Sequence, residues 1–141
     1  MRQIIQQQIP IVHLHVEHEH GFELAIMSHV LDQEPRVAEL VFNDLTRHGA
    51  RLDTGRDAMT AEQVLRAIIV KQMNGFSYKE LAFHLADSRS YKTFCRFGIN
   101  DKPPSKATLQ RNIKKVRAET LERINRKGSI GFSFCTQTPR E

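Results

Sequence analysis

The chain has only two cysteines, Cys95 and Cys135, in unlike contexts and without the paired spacing of a metal knuckle. That spacing excludes a cysteine-based zinc site and points to a reducing, cytoplasmic compartment. No stretch approaches the roughly 20 apolar residues that cross a bilayer. The opening run Met1-Arg2-Gln3-Ile4-Ile5-Gln6-Gln7-Gln8 lacks the long apolar centre of a secretory leader. No strand-rich segment is present, so carboxylates for two-metal phosphoryl chemistry have no scaffold on which to converge. No nucleophile elbow and no Ser/His/Asp or Cys/His pattern appears. Cys95, beside Arg96, reads as a small buried apolar residue. These absences predict a chain without enzyme activity or cofactor of its own.

What is present is a helical pattern and an uneven charge. The chain has 141 residues, 40% of them apolar, enough for one domain with a real core. Residues 1–59 carry 5 Lys/Arg against 9 Asp/Glu, whereas residues 60–141 carry 16 against 7. Within 89–127 there are 12 basic and 3 acidic side chains, a local excess that suits a polyanion. A membrane surface suits it less, because an interfacial helix carries a broader apolar face.

The periodicity predicts an all-α, compact multi-helix domain with a helix-turn-helix-like unit and a long C-terminal basic helix. Residues 1–20 read as a polar, His-rich arm, 21–127 as the helical domain and 128–141 as a disordered tail. Gly21 precedes a first helix with the stripe Phe22, Leu24, Ala25, Met27, Val30 and Leu31. Asp32-Gln33-Glu34 reads as a short connection, with Pro35 in the first turn of a second helix that carries Val37, Leu40, Val41, Phe42 and Leu45. Gly49 closes it, and residues 50–59 read as a polar loop. Thr60 and Gln63 form a capping box, Asn74-Gly75-Phe76 a stop, and Ser77 with Glu80 a second box. Two helices around such a turn make a helix–turn–helix hairpin in the structural sense. Asp87-Ser88 ends the second of these, and a short helix that starts near Ser90 is closed by Gly98. Pro103-Pro104 then forms a hard stop, Ser105 a cap, and a single helix follows to about Arg126.

That last helix carries the candidate nucleic-acid contacts. Ser105, Lys106, Thr108, Gln110 and Arg111 suit bases or phosphates at a helix start, because Arg forks onto guanine and Gln onto adenine. Lys114, Lys115 and Arg117 suit the phosphate backbone. A solvated basic helix gives the same pattern, and the residues alone leave both readings open. The arm residues His13, His15, His18 and His20, mixed with Glu17 and Glu19, lack the Cys pair or the helical His pair that a zinc site needs. Incidental metal affinity fits them better than a built site.

From about Glu23 to Arg126 the sequence resembles the N-terminal region of prokaryotic DDE-type insertion-sequence transposases, those with an InsH-like helical N-terminal domain. The resemblance is carried by Leu31-Asp32, Pro35, Asp44-Leu45-Thr46, Asp53-Thr54-Gly55-Arg56, Thr60-Ala61-Glu62-Gln63-Val64, Leu65-Arg66-Ala67 and Lys71-Gln72-Met73. It continues through Gly75-Phe76-Ser77-Tyr78, Glu80-Leu81-Ala82, Phe94-Cys95-Arg96 and Ser105-Lys106-Ala107-Thr108-Leu109-Gln110-Arg111-Asn112-Ile113. It implies a helical module that binds double-stranded DNA at transposon ends or helps the protein dimerise, nucleoid-associated in the cytoplasm. It also implies that the acidic catalytic triad sits in a following ribonuclease-H-like domain. Beyond Arg126 the residues Lys127-Gly128-Ser129-Ile130 onward have no counterpart in that pattern and read as a truncated or out-of-frame end.

The expectation is therefore a transposase fragment that binds terminal inverted repeats without catalysis, alone, as a homodimer or beside an intact transposase. Two alternatives stand beside it. One is a helical interaction module built on the seam Leu109, Ile113, Val116, Thr120 and Ile124. The other is an inactive remnant.

Overall fold

The computed structural model describes Ile4 and residues 19–47 and 59–126. Those residues form seven helices and no strand, so the chain is all-α as its periodicity requires. The helices are α1 (Glu19–Gln33), α2 (Pro35–Thr46), α3 (Ala61–Asn74), α4 (Tyr78–Asp87), α5 (Arg89–Phe94), α6 (Lys106–Ile113) and α7 (Ala118–Arg126). The arm, the loop and the tail otherwise fall outside the described residues, and with them Gly49 and most of the His/Glu cluster.

Helix α3 is the axis of the fold. Its residues from Val64 to Lys71 are buried on every side, and α2, α4 and α6 pack directly on it. A helix buried on every side belongs in the middle of a domain, and here the burial takes in Arg66 and Lys71 as well as the apolar residues. Val37, Val41 and Leu45 of α2, Leu81 and Leu85 of α4, and Leu109 of α6 meet it in one core.

The local signals explain most of the boundaries. Pro35 occupies the first turn of α2, and only Glu34 separates it from α1. The Thr60–Gln63 capping box is complete: Thr60 Oγ1 accepts the Gln63 N–H at 3.1 Å and Gln63 Oε1 accepts the Thr60 N–H at 3.0 Å. The next orphan donor of α3, the Glu62 N–H, finds the Ile4 carbonyl at 3.1 Å. Gly75 ends α3 with φ 65°, a left-handed turn that suits glycine. Ser77 caps α4 by accepting the Glu80 N–H, but the Glu80 carboxylate accepts the Ser77 hydroxyl rather than its N–H, so this box is half formed.

Four expectations need correction. The connection expected over Asp32-Gln33-Glu34 reduces to Glu34, because α1 runs through Gln33. Helix α1 starts at Glu19, not after Gly21, which lies inside its first turn. The left-handed residue that closes α5 is Arg96 (φ 62°), not Gly98. The Arg96 N–H donates to the Thr93 carbonyl and the Phe97 N–H to that of Lys92, a Schellman pairing, and the residue that falls at its left-handed position is Arg96. Gly98 instead donates to the Asp101 carboxylate. Finally, the single basic helix expected over 105–126 is two helices, α6 and α7, joined by residues 114–117. The cause is tertiary. The α-helical ladder ends with Lys114, Lys115 and Val116 donate three residues back, and Asp44 of α2 accepts the Arg117 N–H before the ladder restarts with the Arg117 carbonyl accepting from Thr120 and Leu121.

Candidate nucleic-acid interface

Helix α6 is fixed at its start by its own sequence. Pro103 and Pro104 cannot prolong anything before it, and Ser105 Oγ accepts the Thr108 N–H at 3.2 Å. Thr108 Oγ1 lies 3.0 Å from the same Ser105 oxygen, so both hydroxyls are engaged in the cap. Leu109 and Asn112 are buried, which sets the inner face. At about 100° per residue, Lys106, Ala107, Gln110, Arg111 and Lys114 then share an arc of about 140° on the other side. Lys106, Ala107, Arg111 and Lys114 are exposed and Gln110 is half-buried.

The electrostatics of this face differ from those of the other arginines. Among the described residues no ion pair forms on Lys106, Arg111 or Lys114, and no acidic residue lies between Asp101 and Glu119. Lys102, in the loop that feeds α6, adds a further exposed cation. The sequence reading did not single it out, although it counts in the basic excess of 89–127.

Arg66, Arg96 and Arg117 are neutralised instead. Arg66 is wholly buried and donates to Glu62 Oε1 (3.1 Å), Ser28 Oγ (2.8 Å), the Phe94 carbonyl (3.0 Å) and Asp32 Oδ1 (3.0 Å). Its guanidinium lies 5.2 Å from the centre of the Phe94 ring. Burial pushes its pKa down, and the Glu62 and Asp32 carboxylates oppose that shift. Arg96 clasps the same Asp32 at 2.8 Å. The two arginines and two acids tie α1, α3 and the end of α5 together.

Arg117 differs in the same way from the α6 cations it follows. Its Nε donates to Asp44 Oδ1 at 3.0 Å and its Nη1 lies 3.9 Å from Glu119. Of the eight residues singled out in the sequence, Lys106, Gln110, Arg111 and Lys114 thus share one open face. Ser105 and Thr108 build its start, Lys115 is half-buried, and Arg117 belongs to the α2–α7 joint.

The seam considered for dimerisation is turned inward. Leu109, Val116, Thr120 and Ile124 are buried within the chain and Ile113 is half-buried against the core. The described residues hold no group of three or more His, Cys, Asp or Glu able to bind a metal ion, and no helix long and apolar enough to cross a membrane.

A family model described as "Transposase domain (DUF772)" matches residues 12–115. The chain belongs to that family. The transposase domain thus takes in α1 to α6, including the whole exposed face of α6. It is the N-terminal domain of insertion-sequence transposases, and no catalytic domain is found beside it. No curated protein and no solved structure matches the chain. Several residues that carried the resemblance are scaffold: Asp32, Glu62, Arg66 and Arg96 form the ion-pair cluster, and Asp44 holds the joint.

Proposed function

We propose that this transposase domain binds double-stranded DNA at transposon ends through α6, without strand chemistry of its own. The observation that carries the reading is the cationic α6 face. Lys106, Gln110, Arg111 and Lys114 project together, their cations in no ion pair among the described residues, on a helix whose inner side is locked into the core. Such a helix suits a major groove: Arg111 and Gln110 offer forked contacts to base edges, while Lys106 and Lys114 suit phosphates. Lys102 and Lys115 extend the backbone contacts. Ser105 and Thr108 act by setting the helix start, and Arg117, engaged by Asp44 and Glu119, stands outside the interface. Helices α3 and α4, with the turn Gly75-Phe76-Ser77 between them, support α6 from behind.

A domain that binds ends without cleaving them competes with an intact transposase for the same sites. The test is binding to duplex from the flanking inverted repeats against scrambled duplex, over a salt series. Equal affinity for both at physiological salt overturns the reading.

A further inference from the structure

The break between α6 and α7 is not dictated by local sequence. Neither glycine nor proline occurs between Ser105 and Arg126. Backbone hydrogen bonding also continues into the joint, first at α-helical and then at the tighter 3₁₀ spacing. Lys114 donates to the Gln110 carbonyl at 3.0 Å, Lys115 to that of Asn112 at 3.3 Å and Val116 to that of Ile113 at 3.1 Å. The α-helical spacing itself ends with Lys114, since Lys115 and Val116 donate only three residues back, and at Arg117 the backbone N–H turns away from the chain's own carbonyls to reach Asp44 Oδ2 at 2.9 Å. Asp44 is buried and also takes the Arg117 Nε and the Thr120 hydroxyl. A carboxylate from another helix therefore holds open a joint that the chain itself could close into one helix.

The two sides of the joint also dock in different places. Helix α6 packs on α3 and α4, whereas α7 packs on α2. Helix α7 is thus a short element with its own docking patch, tied to the rest by a hinge that contains no helix breaker. That is the arrangement in which an element exchanges between identical chains, because every docking contact can be remade with the copy.

We infer that a second copy of this chain exchanges α7 with the first. In the exchanged dimer residues 105–126 run as one continuous helix, and each α7 docks on the α2 of the other copy. The side-chain bonds from Arg117 and Thr120 to Asp44 re-form between copies. The Arg117 N–H returns to the Ile113 carbonyl, one helical turn back. Because docking is conserved, the equilibrium turns on protein concentration and on the helical preference of residues 114–118.

The test uses the full chain and no DNA, so its failure leaves the α6 reading intact. Molar mass is measured by size-exclusion chromatography with light scattering over a concentration series, for the wild type and for Ala118→Pro. Ala118 is the first residue of α7, where proline is well tolerated, but it would lie in the interior of the continuous helix, where proline breaks the ladder. The expected result is a dimer fraction that grows with concentration in the wild type, and a dissociation constant at least tenfold higher in Ala118→Pro. A wild type that stays monomeric at every concentration overturns the inference, as does a dimer that Ala118→Pro leaves unchanged. Should Ala118→Pro fail to fold, Asp44→Lys and Arg117→Glu chains are mixed. Exchange restores opposite charges only in the mixture, giving a one-to-one heterodimer, and absence of that heterodimer overturns the inference equally.

Discussion

Asp44 in α2 accepts two hydrogen bonds from one residue, Arg117, at its backbone N–H (2.9 Å) and at its Nε (3.0 Å). The carboxylate is buried, while the arginine is 43% exposed, so the ion pair is partly screened and the cap to the backbone matters as much as the charge. Asp44→Ala removes the cap of α7 and leaves the Thr120 hydroxyl without its acceptor. The expected cost is about 2–3 kcal/mol in urea unfolding, with Asp44→Asn retaining part of it.

Arg66 is a stronger test of the scaffold. Replacing it with Met leaves the Glu62 carboxylate, the Phe94 carbonyl and the Ser28 hydroxyl short of a donor in the interior. Removing one side of a buried ion pair costs about 3–5 kcal/mol. Arg66→Lys does not rescue it, because one ammonium group cannot reproduce donors pointing to α1, α3 and α5 together. Thermal melts of the two variants check this, and a melting temperature within a degree or so of wild type for Arg66→Lys would sink the assignment.

Asn112 supplies a change in the opposite direction. Its Nδ2 donates to the Thr108 carbonyl at 2.8 Å, but its Oδ1 is buried with no partner among the described residues. Replacing both polar atoms with apolar ones of similar size removes an unmet acceptor. Asn112→Leu is expected to hold or raise stability, by up to about 1 kcal/mol, without weakening DNA binding. A loss beyond that range would mean that Asn112 serves something else.

Tyr78 gives the fold a pH dependence on the alkaline side. It is buried, and Lys71 Nζ sits 4.8 Å from the centre of its ring. Burial raises the Tyr78 pKa above its ordinary value and lowers that of Lys71. For Tyr78 the folded chain keeps a proton that the unfolded chain releases from about pH 10. Its contribution is therefore complete below that pH and is lost as pH rises through the higher folded value. Lys71 works the other way, since the folded chain gives up its proton first and stability recovers as pH approaches the ordinary lysine range. Tyr78→Phe should flatten the fall in stability above pH 10, and Lys71→Met should steepen it, in unfolding measured from pH 8 to 11.

The helices were legible in the sequence wherever the signal was local. Thr60 with Gln63, Gly75, Pro35 and Ser105 each mark a boundary through atoms within a few residues of themselves. Most of the core stripes follow from the same periodicity. The joint at 114–117 was not legible, because its cause is a carboxylate 73 residues away in sequence. Arg96 was missed for a related reason. Its left-handed backbone stands where glycine is usual, at a strain of about 1–2 kcal/mol, and its side chain answers to Asp32 and Glu62 on other helices. The sequence divides the cations of 105–117 between base-facing and phosphate-facing positions and gives Arg117 to the same interface. Only the fold separates Arg117, paired with Asp44, from Lys106, Arg111 and Lys114, which meet no acid among the described residues.

The measurement that tests the central claim is duplex binding by the wild type and by Lys106→Ala/Arg111→Ala, each titrated over a salt series with end and scrambled DNA. Each lost phosphate contact should reduce the slope of log affinity against log salt by about 0.9, and losing the Arg111 fork should erase the preference for ends. If α6 is the interface, the double variant binds both duplexes alike, more weakly and with a shallower salt slope, while its melting temperature stays that of the wild type. A double variant that keeps the wild-type preference and slope would contradict it, and the exposed face of α6 would then be a solvated surface.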